Sequence, residues 1–335
     1  MKKLVCSIAI VICLITQGCG HSSSPEVVIY TSVDQVFAEP ILKAFEQQTG
    51  IQVKAAYDVE ASKAVGLEKR LLAEKERPQA DVFWNSEHLR TLRLQAAGVL
   101  APYQSAAASA IPADFRDPDG YWTGFGARMR VLIVNNAQVP PEQRPARLRD
   151  LTDPRWKGQI ALAKPYFGTT STHFAALYAR WGADHYHQFL QDLHANDVAL
   201  LSGNSTVRDA VERGDYAFGL TDTDDVEVAL QRGADVTMIF PDQTDEGAFA
   251  IPHTVALIAG APHPELGKRL IDYLLSPAIA QQLIAAGAIT TPLRSTATTD
   301  APSTPAALRV WQINSQSLLD ALSPSADLAR QTLVE

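Results

Sequence analysis

Val27-Val28-Ile29-Tyr30-Thr31-Ser32-Val33-Asp34-Gln35 is the stretch on which the fold turns. Its first four residues form an apolar run with no polar alternation, the pattern of a strand buried on both faces. Hydroxyl and carboxylate residues follow. From Gln35 to Gln48, Phe37, Ile41, Leu42 and Phe45 then recur at helical spacing, and Gly50 marks the stop. Asp34 is placed to cap that helix. Strand, polar turn and helix repeat downstream: a strand over 51–55, an amphipathic helix around 61–76, and a strand Ala80-Asp81-Val82-Phe83-Trp84 that ends in Asn85-Ser86-Glu87. This alternation predicts a parallel α/β sheet whose ligand site lies beyond the carboxyl ends of its strands. The loops at 31–35 and 85–87 share that edge.

The Pro/Ala/Ser-rich stretch 102–112 and the turn Asp117-Pro118-Asp119-Gly120 close the first unit. A strand over 128–134 carries the chain into a second one. That unit has strands at 158–162, 198–201 and 216–220, with helices after Thr169-Thr170-Ser171 and after Gly203-Asn204-Ser205. A strand over 254–258 and a helix over 264–275 come last. Roughly 310 residues beyond the leader suffice for two cores of ordinary domain size, and 46% of the chain is apolar. The expected division is 27–127 with 250–300 as one lobe, 128–249 as the other, and 301–335 as a C-terminal helical segment. The formal charge is −8 with acids and bases interspersed, which disfavours nucleic-acid binding, since that needs a concentrated basic surface.

Lys2 and Lys3 precede an apolar run from Leu4 to Ile15, too short to span a bilayer. The run ends at Gly18-Cys19 and resembles a bacterial lipoprotein signal. Residues 1–18 then form a leader, Cys19 carries the lipid, and 19–26 is a tether. An ordinary secretory signal with an incidental cysteine is the alternative, and both imply secretion. All three cysteines, Cys6, Cys13 and Cys19, lie at or before that point, so the mature part has no thiol for a disulfide, a zinc site or a nucleophile.

Candidate binding groups cluster at strand ends. Tyr30, Ser32, Asp34 and Gln35 put hydroxyl, carboxylate and amide groups at the first turn, and Trp84, Asn85 and Glu87 do so at the next. Helix capping and core packing are the plainer alternatives for these residues. Gly168-Thr169-Thr170 and Gly203-Asn204-Ser205 place glycine and hydroxyls ahead of helices, as anion cradles or ordinary N-caps. Thr221-Asp222-Thr223-Asp224-Asp225 crowds carboxylates that a cation, a ligand amine or helix amides must stabilise. No phosphate loop, nucleophile elbow or His-Glu-x-x-His occurs. His185, His187 and His194 sit in a polar helix over 184–194 without an i, i+4 metal pair, as a solvated face.

These motifs, with Trp122-Thr123-Gly124-Phe125, Pro154-Arg155-Trp156-Lys157-Gly158 and Ile251-Pro252-His253-Thr254, resemble the bacterial extracellular solute-binding proteins grouped with periplasmic ferric-iron-binding proteins. The resemblance implies a type II periplasmic-binding fold of two α/β lobes, with crossovers near 125–130 and 249–254, closing on a ligand. The expected protein is a monomer without a resident cofactor, in the periplasm or at the cell surface, held to the membrane by its lipid alone and delivering to an inner-membrane ABC permease. Ferric iron or a metal complex is the first ligand it implies. A small organic phosphate or phosphonate is the alternative. Iron-binding relatives carry adjacent tyrosines where Asp224 and Asp225 stand here. Asp34, Asp224 and Asp225 would be the metal-ligating oxygens if the ligand is a cation. A secreted hydrolase is the remaining class, and no nucleophile-base pair is legible for it.

Overall fold

The computed structural model describes residues 24–58, 65–289, 291–292, 308–311 and 315–333. The leader, Cys19 and the tether up to residue 23 lie outside them. The first lobe opens with β1 (Glu26–Thr31), α1 (Gln35–Thr49), β2 (Gln52–Tyr57), α2 (Val65–Ala73), β3 (Val82–Asn85), α3 (His88–Ala96) and the short β4 (Leu100–Ala101). β1 pairs in parallel with β2 and with β3. α1 buries Phe37, Ile41, Leu42 and Phe45, the stripe expected from its spacing. Gly50 ends it in the left-handed conformation, φ 70°, with its amide on the Glu46 carbonyl.

β5 (Thr123–Asn135) then leads to β6 (Ile160–Ala163), α4 (Gly168–Ala195), β7 (Ala199–Leu201), α5 (Asn204–Glu212), β8 (Phe218–Asp222), α6 (Thr223–Gln231) and β9 (Val236–Ile239). β10 (Ala248–Ile258) returns to α7 (Pro264–Leu274), α8 (Pro277–Ala285) and β11 (Thr291–Pro292), and the chain closes with β12 (Val310–Trp311) and α9 (Ser315–Leu333).

The strand order is β2-β1-β3-β10-β5-β8-β6-β7. β5 belongs to both halves. Met129 and the residues before it pair with β10, whereas Arg130 and those after it pair with β8. The strands of the βαβ units are parallel in both lobes, as their alternation predicts, whereas the crossing strands run the other way: β10 is antiparallel to β3, and β5 is antiparallel to β10 and β8. A strand that crosses between lobes enters its sheet from the opposite side to the βαβ strands, so it runs against them. Both long strands are buried along their whole length.

Each lobe has its own core. Val27, Ile29, Phe37, Phe45, Trp84 and Phe125 pack in the first. Leu132, Ile160, Leu162, Phe174, Phe189 and Phe218 pack in the second. α4 breaks its helical geometry at Gly182 (φ 78°, ψ 165°). The stretch beyond it is amphipathic rather than polar: Tyr186, Phe189, Leu190 and Leu193 are buried, while His185 and His194 face outward as expected. α9 lies behind the crossing strands, where Leu318, Ala321 and Leu322 pack with Leu89 of α3, Ala175 and Ala176 of α4, and Phe249 and Ile251 of β10.

Candidate functional site

Strand alternation puts Arg128 and Arg130 on one face of β5, with Met129 on the other. Arg130 is the register partner of Asp222 on β8. Its Nη1 meets Asp222 Oδ1 at 2.6 Å. Arg128 Nη1 pairs with Asp224 Oδ2 and lies 3.4 Å from Asp222 Oδ2. Arg208 of α5 lies 3.4 Å from Asp225, whose other oxygen accepts from Thr221 Oγ1 at 2.9 Å. The carboxylates crowded at the end of β8 are therefore stabilised by arginines of the same protein, and no external cation is needed. Burial pushes the Asp222 carboxyl up, but Arg130 and Arg128 outweigh it and hold it below the usual range. Burial also opposes the charge of Arg128, and Asp224, Asp222, Asp34 and Asp225 more than offset that, keeping the guanidinium protonated.

Around this cluster is a cavity of about 20 Å³ lined by Ser86 and Arg128 and, from the second lobe, by Lys164, Gly168, Thr169, Thr170, Gly203 and Asn204. At roughly 10–15 Å³ for one buried water, that is room for about one water with the lobes in this arrangement. The Thr169 hydroxyl donates to Asp222 at 2.6 Å, and Thr170 donates to Asn204 Oδ1 at 3.1 Å. Asn204 Nδ2 donates to Thr169 Oγ1 at 2.7 Å and to Asp222 at 3.0 Å. α4 and α5 begin here, and neither N-cap residue, Phe167 or Gly203, makes a side-chain cap. First-turn amides of two helices, each at the positive end of its dipole, converge on one cavity. Lys164 is half-buried beside them and has no ion pair with any described residue.

Of the residues expected at the site, Gly168, Thr169, Thr170, Asn204 and Asp222 line this cavity. Asp224 and Asp225 stand behind it with their arginines, and Ser205 lies in the first turn of α5. Asp34 occupies the N-cap position of α1 without making a side-chain cap, and its charge acts on Arg128 and Arg208 across the cleft. Other expectations need correction. Tyr30 points into the packing beside α2, where its hydroxyl donates to Glu74 at 3.0 Å and Arg70 lies 4.3 Å above its ring. Trp84 is fully buried against Phe125. Both belong to strands whose faces are covered by helices, so their rings are core. Ser32 and Asn85 bond each other at 2.6 Å and tie the first two loops together; neither lines the cavity, but Ser32 Oγ accepts from the amide of Ser86, which does, at 2.9 Å. Gln35 is exposed on α1 and bonds Glu39. Thr223 accepts from the Met129 amide at 3.2 Å. Glu87 caps α3 through the Leu89 amide. Sequence reasoning missed Arg128, Arg130, Arg208 and Lys164. The signal for the first two was two arginines at period 2 in an otherwise apolar strand, which require acids opposite.

Residues 79–312 match the family of bacterial extracellular solute-binding proteins. The chain belongs to that family. A putative 2-aminoethylphosphonate-binding periplasmic protein of Salmonella paratyphi A is 29% identical over 297 residues, covering 86% of this chain and 84% of that one. Iron uptake protein A1 of Synechocystis is 26% identical over 263 residues, covering 75% and 71%. Iron-bound HitA from Pseudomonas aeruginosa superimposes with a TM-score of 0.83 at 25% identity, covering 92% of this chain and 99% of that one. This solute-binding protein has the type II periplasmic-binding fold of two α/β lobes. Its place is the periplasm, where a protein of this family captures a small ligand for an ABC permease.

Proposed function

We propose that the ligand of this importer component carries a phosphate or phosphonate group, held in the cavity between Lys164, Arg128 and the first turns of α4 and α5. The observation that carries this reading is the pairing of Asp222, Asp224 and Asp225 with Arg130, Arg128 and Arg208, which leaves Lys164, without an ion pair to any described residue, and the helix-start amides as the positive groups at the cavity. Helix N-termini with a lysine are a general anion site. The relative named for 2-aminoethylphosphonate supports it. A ligand amine is proposed to meet Asp34, whose charge reaches Arg128 and Arg208 from the opposite lobe.

Ferric iron is the second reading. Ligand oxygens of Asp222, Asp224 and Asp225 lie within 4.8 Å of one another, and the Synechocystis relative is named for iron uptake. A hard cation there must displace the arginines, whose like charge opposes it. The mature protein is further proposed to be a monomer tethered to the membrane by lipid on Cys19.

Calorimetry of protein stripped of bound solute separates the readings. The anion reading expects heat with 2-aminoethylphosphonate or inorganic phosphate and none with ferric citrate. Saturable ferric binding alone overturns it.

A further inference from the structure

The first turn of α4 has two faces. Gly168, Thr169 and Thr170 line the cavity. Ser171 and Thr172, the next residues along the helix, are buried against the first lobe. There Arg90 Nη2 donates to Ser171 Oγ at 3.1 Å, and Thr172 Oγ1 donates to Glu87 Oε2 at 2.7 Å. Glu87 is the N-cap of α3 and Arg90 lies in its first turn, and both are braced from behind. Glu87 accepts from the Leu89 amide at 3.0 Å, Arg90 lies 3.3 Å from Glu68, and Glu68 lies 2.9 Å from Arg93. None of these four charged residues lines the cavity.

We propose that the Glu87–Thr172 and Arg90–Ser171 contacts are an interlobe latch, which positions the N-terminus of α4 and sets the closed population of the protein independently of which ligand is bound. Two hydroxyls of the second lobe meet two buried charged groups of the first, beside the core that α3, α4, β10 and α9 share. Opening the lobes breaks both hydroxyl contacts, while Glu87 keeps Arg90 at 3.4 Å and the Leu89 amide, and Arg90 keeps Glu68; each lost bond to a charged group is worth on the order of tenfold in an equilibrium. The apparent affinity of every ligand is its intrinsic affinity scaled by the competent fraction. Removal of the latch therefore weakens all ligands by one common factor, whereas a residue of the cavity changes their ratio. The proposal rests on lobe closure and not on the charge of the ligand.

The test is made on Ser171→Ala, Thr172→Val, the double variant and Thr172→Ser, which keeps its hydroxyl. Spin labels at Lys43→Cys and Arg213→Cys, both exposed and on different lobes, report the distance between lobes without added ligand. Calorimetry gives Kd for inorganic phosphate and for 2-aminoethylphosphonate. The double variant is expected to shift the label distances toward open. It should also raise both constants by a common factor of about ten or more, with their ratio kept and Thr172→Ser near the parent. Unchanged label distances overturn the latch, and so does a changed ratio of the two constants. If neither probe binds the parent protein, the anion reading fails and the label distances alone decide the latch. The single variants serve if the double variant does not fold.

Discussion

At the scale of single residues, Lys164 and Asp224 make opposite predictions under the two ligand readings. Lys164→Met removes the cavity lysine that has no ion pair among the described residues and should weaken a phosphonate ligand by about 1.5–3 kcal/mol, measured by calorimetry. Asp224→Asn releases Arg128 from its carboxylate, so anion affinity should hold or rise, whereas a ferric ligand should weaken. His173 sets a pH dependence of stability. It is buried, stacked 5.1 Å from Phe249, and burial followed by the charge of Arg130 holds it well below the usual range, so it is neutral in the fold. The unfolded chain protonates it near its ordinary value of about 6.5. The contribution is therefore whole above that pH and is lost as pH falls below it. Urea midpoints should decline from pH 7.5 to pH 5 more steeply in the parent than in His173→Phe. Equal slopes would remove His173 as the cause. The cradle residues Thr169, Thr170 and Asn204 were legible because glycine and hydroxyls ahead of a helical pattern are a local signal. Asp222 was legible as a carboxylate at a strand end, but its partner Arg130 was not, because that residue is explained only by an acid 92 positions away.

At the scale of elements, α1 and β1 follow their sequence patterns closely, and the crossing strands do not. Strands were expected over 128–134 and 254–258, and they run over 123–135 and 248–258. Residues 123–129 read Thr-Gly-Phe-Gly-Ala-Arg-Met, whose glycines and arginine argue against a strand. Pairing with β10 overrides that weak preference. Gly126 has a packing reason, since a Cβ there would run into the side chain of Ile289. Gly126→Ala should cost about 1–3 kcal/mol through overpacking, read by denaturant titration. A neutral result would mean that Ile289 moves aside freely.

At the scale of the molecule, β5 and β10 join two separately cored lobes and run antiparallel to each other. Two such crossings permit hinge closure. The anchor makes a prediction independent of the lobes: Cys19→Ala should move the protein from the membrane to the soluble periplasmic fraction with its thermal midpoint unchanged. Continued membrane association would remove the lipid reading. The sequence by itself determined the α/β class, the pair of lobes and the strand-end location of the cradles. Those follow from hydrophobic periodicity and from glycine and hydroxyls at helix starts, which are local properties of the chain. Only the tertiary structure decided what surrounds the carboxylates of 222–225. Whether a crowded carboxylate awaits a cation or already has one depends on which charges the fold brings within a few ångströms. Electrostatic pairing is a matter of distance in space, and chain order does not record it.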